Sequence, residues 1–234
     1  MKERPIIFNA DMVRAVLDGR KTQTRRIMTP QPADDIQLHE FPNKSLLGWL
    51  SSLKHKHGSF TAHICPFGQP GDRLWVRETW SVVSHAFDDD GLMIDYFPER
   101  PAKAVHEQPF GRGYYSGHAI YAADGGFTWG DDDGCVDGRS CWKPSIHMPR
   151  WASRITLEIT GVRVERLQDI SRADAIAEGG PQSHPSIDAV SRDYGFADFS
   201  RSWFGQTWWS IYGKESWQAN PWVWVIEFKR VEVE

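Results

Sequence analysis

The stretch "PIIFNADMVRAVLDGRKTQTRRI" (residues 5–27) predicts a strand, a helix and a second strand in close succession. Its first four residues are mainly apolar and predict a short strand. Asn9 is a suitable N-cap for a helix over Asp11–Asp18, because apolar residues recur there at helical spacing. Gly19 is the expected helix stop. Lys21–Ile27 therefore lies just beyond a helix end, as a strand or as the loop leading into one.

Three later segments have the patterns of strands. The segment "GDRLWVRETW" (residues 71–80) predicts a strand after a Gly-Asp turn. The segment "SRITLEITGVRVERL" (residues 153–167) predicts two strands around Thr160-Gly161, and "PWVWVIEF" (residues 221–228) predicts a closing strand.

Two long regions have little periodicity. Residues 29–70 predict an excursion with some helix near 44–53, and residues 81 to about 142 predict an irregular, solvated insertion. Several strands with long excursions and only two convincing short helices indicate the α+β class. We expect one domain over residues 1–234, built as a small β-barrel with short helices packed at its edge.

The composition is that of an ordinary soluble globular protein, with 234 residues, 40% apolar residues and a formal net charge of −4. The negative charge argues against a surface wrapped in nucleic acid, although a local basic site is compatible with it. The N-terminus lacks the apolar run of a signal peptide, and no stretch reaches the length of a membrane helix. We therefore expect a cytoplasmic protein with no membrane partner; the sequence leaves the oligomeric state open.

The run "GRKTQTRR" (residues 19–26) concentrates cations and hydroxyls, and two interpretations are open. It can be a basic loop that grips phosphate, which is the commoner role of such runs. Alternatively, Lys21 is a base for the Thr24 hydroxyl, with neighbouring arginines disfavouring the protonated ammonium. Strict strand alternation would put Lys21 and Thr24 on opposite faces, so shared chemistry requires a turn or bulge between them.

Two carboxylates are candidates for a proton donor. Ser171 is a predicted N-cap with Asp174 at the capping-box position and Gly179 just past the helix end. Glu178 then lies at the negative end of the helix dipole, which favours a protonatable carboxyl, or it is an ordinary exposed helix-end residue. Glu78 is the second candidate, either as a ligand-binding group or as a buried ion-pair partner.

Aromatic side chains flank Glu78. Trp75 and Trp80 are candidate surfaces for stacking on a base, and both are equally compatible with core packing.

The cysteines give a weak metal signal. Cys135 and Cys141 are spaced C-x5-C, and His63 with Cys65 forms H-x-C; neither is a usual zinc spacing, so free buried thiols are the favoured interpretation. We predict no metal and no cofactor.

The ordered combination of "GRKTQTRR", "GDRLWVRETW", "ISRADAIAEGG" and "PWVWVIEF" resembles the ASCH domain family, whose fold is a PUA-like β-barrel, and especially its long phage and prophage members. The resemblance covers residues 4–30, 65–80 and 143–234, and leaves 81–142 as an insertion.

Within this superfamily, the N(4)-acetylcytidine amidohydrolases have G-R-K-T-x-T followed by A-x-x-E. The similarity implies Lys21 as proton acceptor, Thr24 as nucleophile and Glu178 as proton donor, with Ala175 marking the A-x-x-E register. Arg25 and Arg26 are then candidates to stabilise an oxyanion or hold a phosphate.

Three hypotheses follow. The first is an amidohydrolase acting on N(4)-acetylcytidine or a related acylated nucleoside. The second is a module that binds or cleaves single-stranded RNA in the same basic cleft, because other family members act on RNA. The third is a phage interaction protein that keeps the fold without activity.

Overall fold

The computed structural model describes residues 1–41, 47–53, 58–129 and 141–231, which form a mixed α+β fold. The strands in chain order are β1 (Glu3–Ile7), β2 (Gln23–Ile27), β3 (Gln37–Glu40), β4 (Leu47–Ser51), β5 (Thr61–His63), β6 (Arg73–Arg77), β7 (Trp80–Val83), β8 (His85–Phe87), β9 (Met93–Asp95), β10 (Lys103–Phe110), β11 (Gly113–Tyr121), β12 (Thr156–Arg166) and β13 (Trp222–Val231). The α-helices are α1 (Ala10–Leu17), α2 (Arg172–Ala177), α3 (Pro185–Asp193), α4 (Phe199–Tyr212) and α5 (Lys214–Gln218).

The chain divides into two compact units. The first unit contains Met1–Lys2, Asp18–Arg73 and Leu157–Arg230; the second contains Glu3–Leu17, Leu74–Thr156 and Val231–Glu234. The assignment of a single domain with an insertion at about 81–142 stays a prediction.

In the first unit, β12, β13 and β2 are neighbours in that order. β13 and β2 are antiparallel, with Val225 opposite Arg25 and Ile226 opposite Thr24. A second antiparallel sheet has the order β3-β4-β5. One face of the β13–β2 pair contributes to a buried core of Leu167, Ile170, Ala175, Phe204, Trp208, Val223 and Val225.

In the second unit, β1 lies beside β6, and β10, β11 and β7 form an antiparallel sheet. The short strands β8 and β9 form a separate antiparallel pair. A second core consists of Trp80, Val105, Ala119, Tyr121, Met148 and Ala152.

Several predicted elements are confirmed. Asn9 caps α1, because its Oδ1 accepts the Met12 N–H at 2.9 Å, and Gly19 ends the helix with a φ of +74°. The predicted capping box of α2 is present, with the Ser171 and Asp174 side chains each accepting the other residue's backbone N–H.

Other predicted elements are wrong. The predicted helix near 44–53 is strand β4 where the chain is described, over residues 47–51. The predicted pair of strands at 153–167 is the single strand β12. Gly161 lies inside that strand, where the missing side chain leaves room for the Glu227 carboxylate.

The predicted lack of regular structure at 81–142 is also wrong where the chain is described, since most of β7 and all of β8–β11 lie there. β10 is interrupted by a bulge at 105–108, and both of its faces are largely exposed, so its sequence does not alternate. The sequence also missed α3–α5. The aromatic residues of α4 occur on several of its faces, so its sequence lacks the hydrophobic periodicity of an amphipathic helix.

The strands form open sheets, and none closes into a barrel within the described ranges. No helix among the described residues is long and apolar enough to cross a membrane.

Candidate functional site

Lys21 and Glu178 are in direct contact in the first unit. The Lys21 Nζ donates to Glu178 Oε2 at 2.6 Å and to the Glu178 carbonyl at 3.0 Å. Both side chains are buried, with exposed fractions of 0% and 4%. Because both groups are withdrawn from bulk water, a hydrogen bond between them is stronger than the same bond at the surface.

The local structure explains why the two residues meet. Lys21 lies just before β2 and forms an antiparallel bridge with Glu178, the C-cap of α2. The Thr22 N–H donates to the Ala177 carbonyl at 2.8 Å. The chain after α2 packs closely at Gly180, where an added Cβ would lie 2.6 Å from the Ala175 carbonyl oxygen and 2.7 Å from the Trp203 ring. Backbone pairing therefore brings Lys21 and Glu178 next to each other, so that their side chains can meet.

Arg25 holds the other oxygen of the same carboxylate. Its Nη1 donates to Glu178 Oε1 at 3.2 Å, and its Nη2 donates to Glu165 Oε2 at 3.0 Å. Asp174 Oδ2 lies 3.5 Å from the same Nη2. The Arg25 side chain is fully buried, with its guanidinium carbon 5.7 Å from the centroid of Phe204.

Further charges extend this cluster toward the surface. The Gln23 Nε2 donates to the carbonyl and to Oδ1 of Asp174, at 2.8 and 3.1 Å. The Arg163 guanidinium bonds Asp174 Oδ1 at 2.7 Å, Glu165 Oε1 at 2.5 Å and the Glu227 carboxylate. Arg163 and Glu227 are partly exposed, so the network runs from a buried pair to solvent.

Burial changes the proton affinity of Lys21. It lowers the pKa of Lys21 below 10.5, and the positive charges of Arg26 and Arg25 act in the same direction, while Glu178 opposes them. A lysine with a lowered pKa is a suitable general base.

Thr24 lies on the opposite face of β2 from this cluster. The Gln23 and Arg25 side chains both reach carboxylates of the α2 region, so alternation directs Thr24 to the other side. The register with β13 is regular over Gln23–Ile27, without the bulge that shared chemistry requires. Thr24 is 1% exposed, and among the described residues no hydrogen bond joins its hydroxyl to Lys21 or Glu178.

Arg26 shares the Thr24 face of β2. It is half-buried, lies opposite Trp224 of β13, and donates from Nη1 to the Tyr212 hydroxyl at 3.3 Å. Of the two predicted substrate-binding arginines, Arg26 is the one with access to solvent.

The predicted binding residues Trp75, Glu78 and Trp80 lie in the second unit. Glu78 is 2% exposed, and both its oxygens accept hydrogen bonds from Arg154, at 2.9 and 3.0 Å. Arg154 also bonds both oxygens of Asp124. Burial raises the pKa of Glu78 despite the opposing effect of Arg154. This geometry is that of a structural ion pair.

The two tryptophans have little free surface. Trp80 is 0% exposed and belongs to the core of the second unit. Trp75 is 8% exposed, and the Arg77 guanidinium carbon lies 4.8 Å from its ring centroid. In this conformation Trp80 has no face on which a base can stack.

The cysteines do not form a metal site in the described part of the chain. Cys65 is buried as predicted, whereas Cys141 is exposed with a free thiol, and Cys135 lies outside the described residues. No group of three or more His, Cys, Asp or Glu side chains with metal-binding geometry occurs among the described residues. The His63 ring instead shares a 2.9 Å hydrogen bond with Ser51.

Sequence reasoning missed the outer charges of the cluster. Glu165 and Arg163 were not singled out, and Asp174 was identified only as a helix cap. Arg163 and Glu165 could have been found from their spacing, because opposite charges at i and i+2 of a half-buried strand lie on the same face.

A scan against protein-family models, a search of curated proteins and a search of solved structures all found no match to this chain.

Proposed function

We propose that the protein is an amidohydrolase that removes an acyl group from an exocyclic nitrogen of a nucleoside, with N(4)-acetylcytidine as the model substrate. The observation that carries this proposal is the 2.6 Å contact between Lys21 Nζ and Glu178 Oε2. The proposal also includes the PUA-like fold that the ASCH resemblance implies and the cytoplasmic location expected from the N-terminal sequence and the cysteine content.

The Lys21–Glu178 pair supplies the two proton transfers that amide hydrolysis needs. Neutral Lys21 accepts the proton of the attacking hydroxyl, and Glu178 in its acid form gives a proton to the departing nitrogen. The acyl carbon gains a C–O bond and loses its C–N bond, and a second attack by water on an acyl-enzyme releases acetate. The contact between the two residues lets the proton return from Lys21 to Glu178 after each cycle.

Thr24 is the nucleophile of this proposal on the resemblance alone. Its hydroxyl lies on the opposite face of β2, so direct transfer of its proton to Lys21 requires a rearrangement of residues 22–24. If Thr24 is not the nucleophile, water activated by Lys21 takes its place, and no acyl-enzyme forms. A variant series at Thr24 distinguishes these two forms of the proposal.

The RNA-binding and RNA-cleaving alternative loses two of its predicted contacts. Arg25 is buried among three carboxylates and cannot grip a phosphate, and Trp80 cannot stack on a base. Arg26 remains a candidate phosphate contact. RNA binding that weakens steeply with added salt would favour this alternative. An inactive interaction protein is the third possibility, and it predicts neither turnover nor RNA binding.

The direct test is to incubate the purified protein with N(4)-acetylcytidine and to follow cytidine and acetate by chromatography. We expect turnover by the wild type and its loss in Lys21→Met and Glu178→Gln. Lys229→Met is the matched control, because this lysine is 62% exposed and pairs with Glu158. The absence of cytidine at high wild-type concentration would refute the proposal for this nucleoside.

A further inference from the structure

Each oxygen of the Glu178 carboxylate is bonded by a different cation. Lys21 Nζ lies 2.6 Å from Oε2, and Arg25 Nη1 lies 3.2 Å from Oε1. The two hydrogen bonds fix both the position and the plane of the carboxylate, because a guanidinium donates in a rigid fork.

Arg25 is enclosed by protein groups in this structure. Its side chain is 0% exposed and is held between Glu178, Glu165 and Asp174, with the Phe204 ring 5.7 Å from its guanidinium carbon. The contact that connects Arg25 to the proposed chemistry is therefore the one it makes with Glu178.

Glu165 is the outer partner of this guanidinium. It accepts from Arg25 Nη2 at 3.0 Å and from Arg163 Nε at 2.5 Å, and its side chain is 24% exposed. Glu165 thus connects the buried pair to the partly exposed end of the network.

We propose that Arg25 is a positioning residue that holds the Glu178 carboxylate against Lys21, and that Glu165 tunes this hold by partly neutralising Arg25; the inference rests on the proposed function. It replaces the predicted role of Arg25 as a substrate contact.

Arg25 has two effects on Lys21 that differ in sign. Its positive charge disfavours a protonated Lys21, whereas its hold on Glu178 keeps in place a carboxylate that favours protonation. Arg25→Lys keeps the charge and loses the guanidinium fork, so it isolates the second effect. Removing the negative charge of Glu165 leaves Arg25 less compensated, which disfavours protonation further. Glu178 and Arg26 also act on Lys21 and are unchanged in both variants, as is Asp174, which lies 3.5 Å from Arg25 Nη2.

The experiment is an NMR titration of the Lys21 side-chain nitrogen, which needs no substrate. Lysine is labelled with ¹⁵N, and the signal is assigned by its absence in Lys21→Arg. We expect the midpoint to fall in Arg25→Lys, because the Glu178 carboxylate is no longer held against Lys21, and to fall in Glu165→Gln, because Arg25 is less compensated. An unchanged or raised midpoint in Arg25→Lys would overturn the proposal, because a purely electrostatic role of Arg25 predicts no change when the charge is kept.

Glu158→Gln is the matched control for Glu165→Gln. Glu158 lies on the same strand β12, is 32% exposed and pairs with Lys229 instead of Arg25. Its variant should leave the Lys21 midpoint unchanged. If Arg25→Lys fails to fold, Glu165→Gln decides the outcome. Glu165→Gln must then lower the midpoint, and an unchanged midpoint in this variant would overturn the proposal.

Turnover gives a second, separable measurement. A positioning role predicts that Arg25→Lys and Glu165→Gln lower kcat by about tenfold and leave KM within twofold. A rise in KM with unchanged kcat would return Arg25 to substrate binding. Inactive wild-type protein would refute the proposed function, whereas the titration would still test the electrostatic coupling of Arg25 and Glu165 to Lys21.

Discussion

Lys21 Nζ lies 2.6 Å from Glu178 Oε2, although 157 positions separate the two residues in the chain. The contact joins the end of one helix to the segment that follows another. Gly19 ends α1, Lys21 pairs its backbone with Glu178 at the end of α2, and the charged side chains then meet in a buried space. The geometry thus depends on two helix ends, both of which have recognisable sequence signals.

The stability effects of Lys21 and Glu178 should be coupled. Lys21→Met leaves Glu178 buried with one cation fewer, so we expect a loss of about 3 kcal/mol in the free energy of unfolding, and Glu178→Gln should be similar. Lys21→Met/Glu178→Gln should lose at least about 1 kcal/mol less than the sum of the two. Urea denaturation followed by circular dichroism measures all three.

The control for that cycle is Asp11→Asn, which removes an exposed ion pair with Arg14. It should cost less than about 1 kcal/mol. Additive losses in the Lys21 and Glu178 variants, within about 0.5 kcal/mol, would show that the contact contributes nothing as a pair.

Glu178 and Glu78 should differ in their effect on turnover. Glu178→Gln removes the proposed proton donor and should lower kcat by about 10²-fold or more. Glu78→Gln should leave kcat within about tenfold, because both Glu78 oxygens are bonded to Arg154 in a structural ion pair. Its effect should appear instead as reduced stability. The opposite pattern would assign the acid role to Glu78.

A nucleophilic Thr24 predicts a graded series. Thr24→Ala should lower turnover by about 10³-fold or more, and Thr24→Ser should keep a measurable part of it. Mass spectrometry of the quenched wild-type reaction should show an acetylated peptide containing residue 24. Thr24→Val tests packing, because it keeps the volume of the buried side chain without its hydroxyl.

The Thr24 series distinguishes a threonine nucleophile from a water nucleophile, because the regular register of β2 places the Thr24 hydroxyl on the face opposite Lys21. If Thr24→Ala and Thr24→Val retain turnover within about tenfold and no acetyl-enzyme accumulates, water is the nucleophile. Lys21 and Glu178 would then keep their proposed roles.

Trp80 should act as a core residue. It is 0% exposed, and its ring makes edge-to-face contacts with Phe110 and Trp151 at centroid distances of 5.2 and 5.4 Å. Trp80→Ala should cost about 3–5 kcal/mol of unfolding free energy. The milder Trp80→Phe should fold and leave the KM for N(4)-acetylcytidine within twofold. A KM increase of about tenfold or more in folded Trp80→Phe would restore the stacking role.

The sequence was most informative where a local rule fixes the backbone. Asn9, Gly19 and the Ser171–Asp174 capping box predicted the bounds of two helices, because caps act over a few residues. These bounds in turn placed Lys21 and Glu178 at helix ends.

The features that could not be predicted from the sequence depend on contacts between residues far apart in the chain. A glycine inside β12 resembled a turn, although the strand continues through it beside Glu227. The contact between Arg25 and Glu165 could not be predicted either, because the two residues are 140 positions apart and their contact depends on the order of strands in the sheet. Local pattern carries no information about which charges a fold will bury together.

Asp174 should make stability depend on pH in the acid range. Burial opposes ionisation, but hydrogen bonds from Ser171 and Gln23 and the charges of Arg25 and Arg163 lower the pKa of Asp174 from 3.8 to about 2. A lowered folded-state pKa gives stability that is present above 3.8 and is lost as the pH falls toward about 2. Asp174→Asn should therefore cost on the order of 1 kcal/mol near neutral pH, after allowance for solvent screening.

The difference between Asp174→Asn and the wild type should narrow as the pH falls from about 4 to about 2, because the wild-type carboxylate becomes protonated over that range. Urea denaturation at a series of pH values measures it. Asp18→Asn serves as the control, since Asp18 makes an exposed ion pair with Arg20 outside the buried cluster. A difference that stays constant down to about pH 2 would mean that Asp174 stabilises the fold through its capping hydrogen bonds and not through its charge.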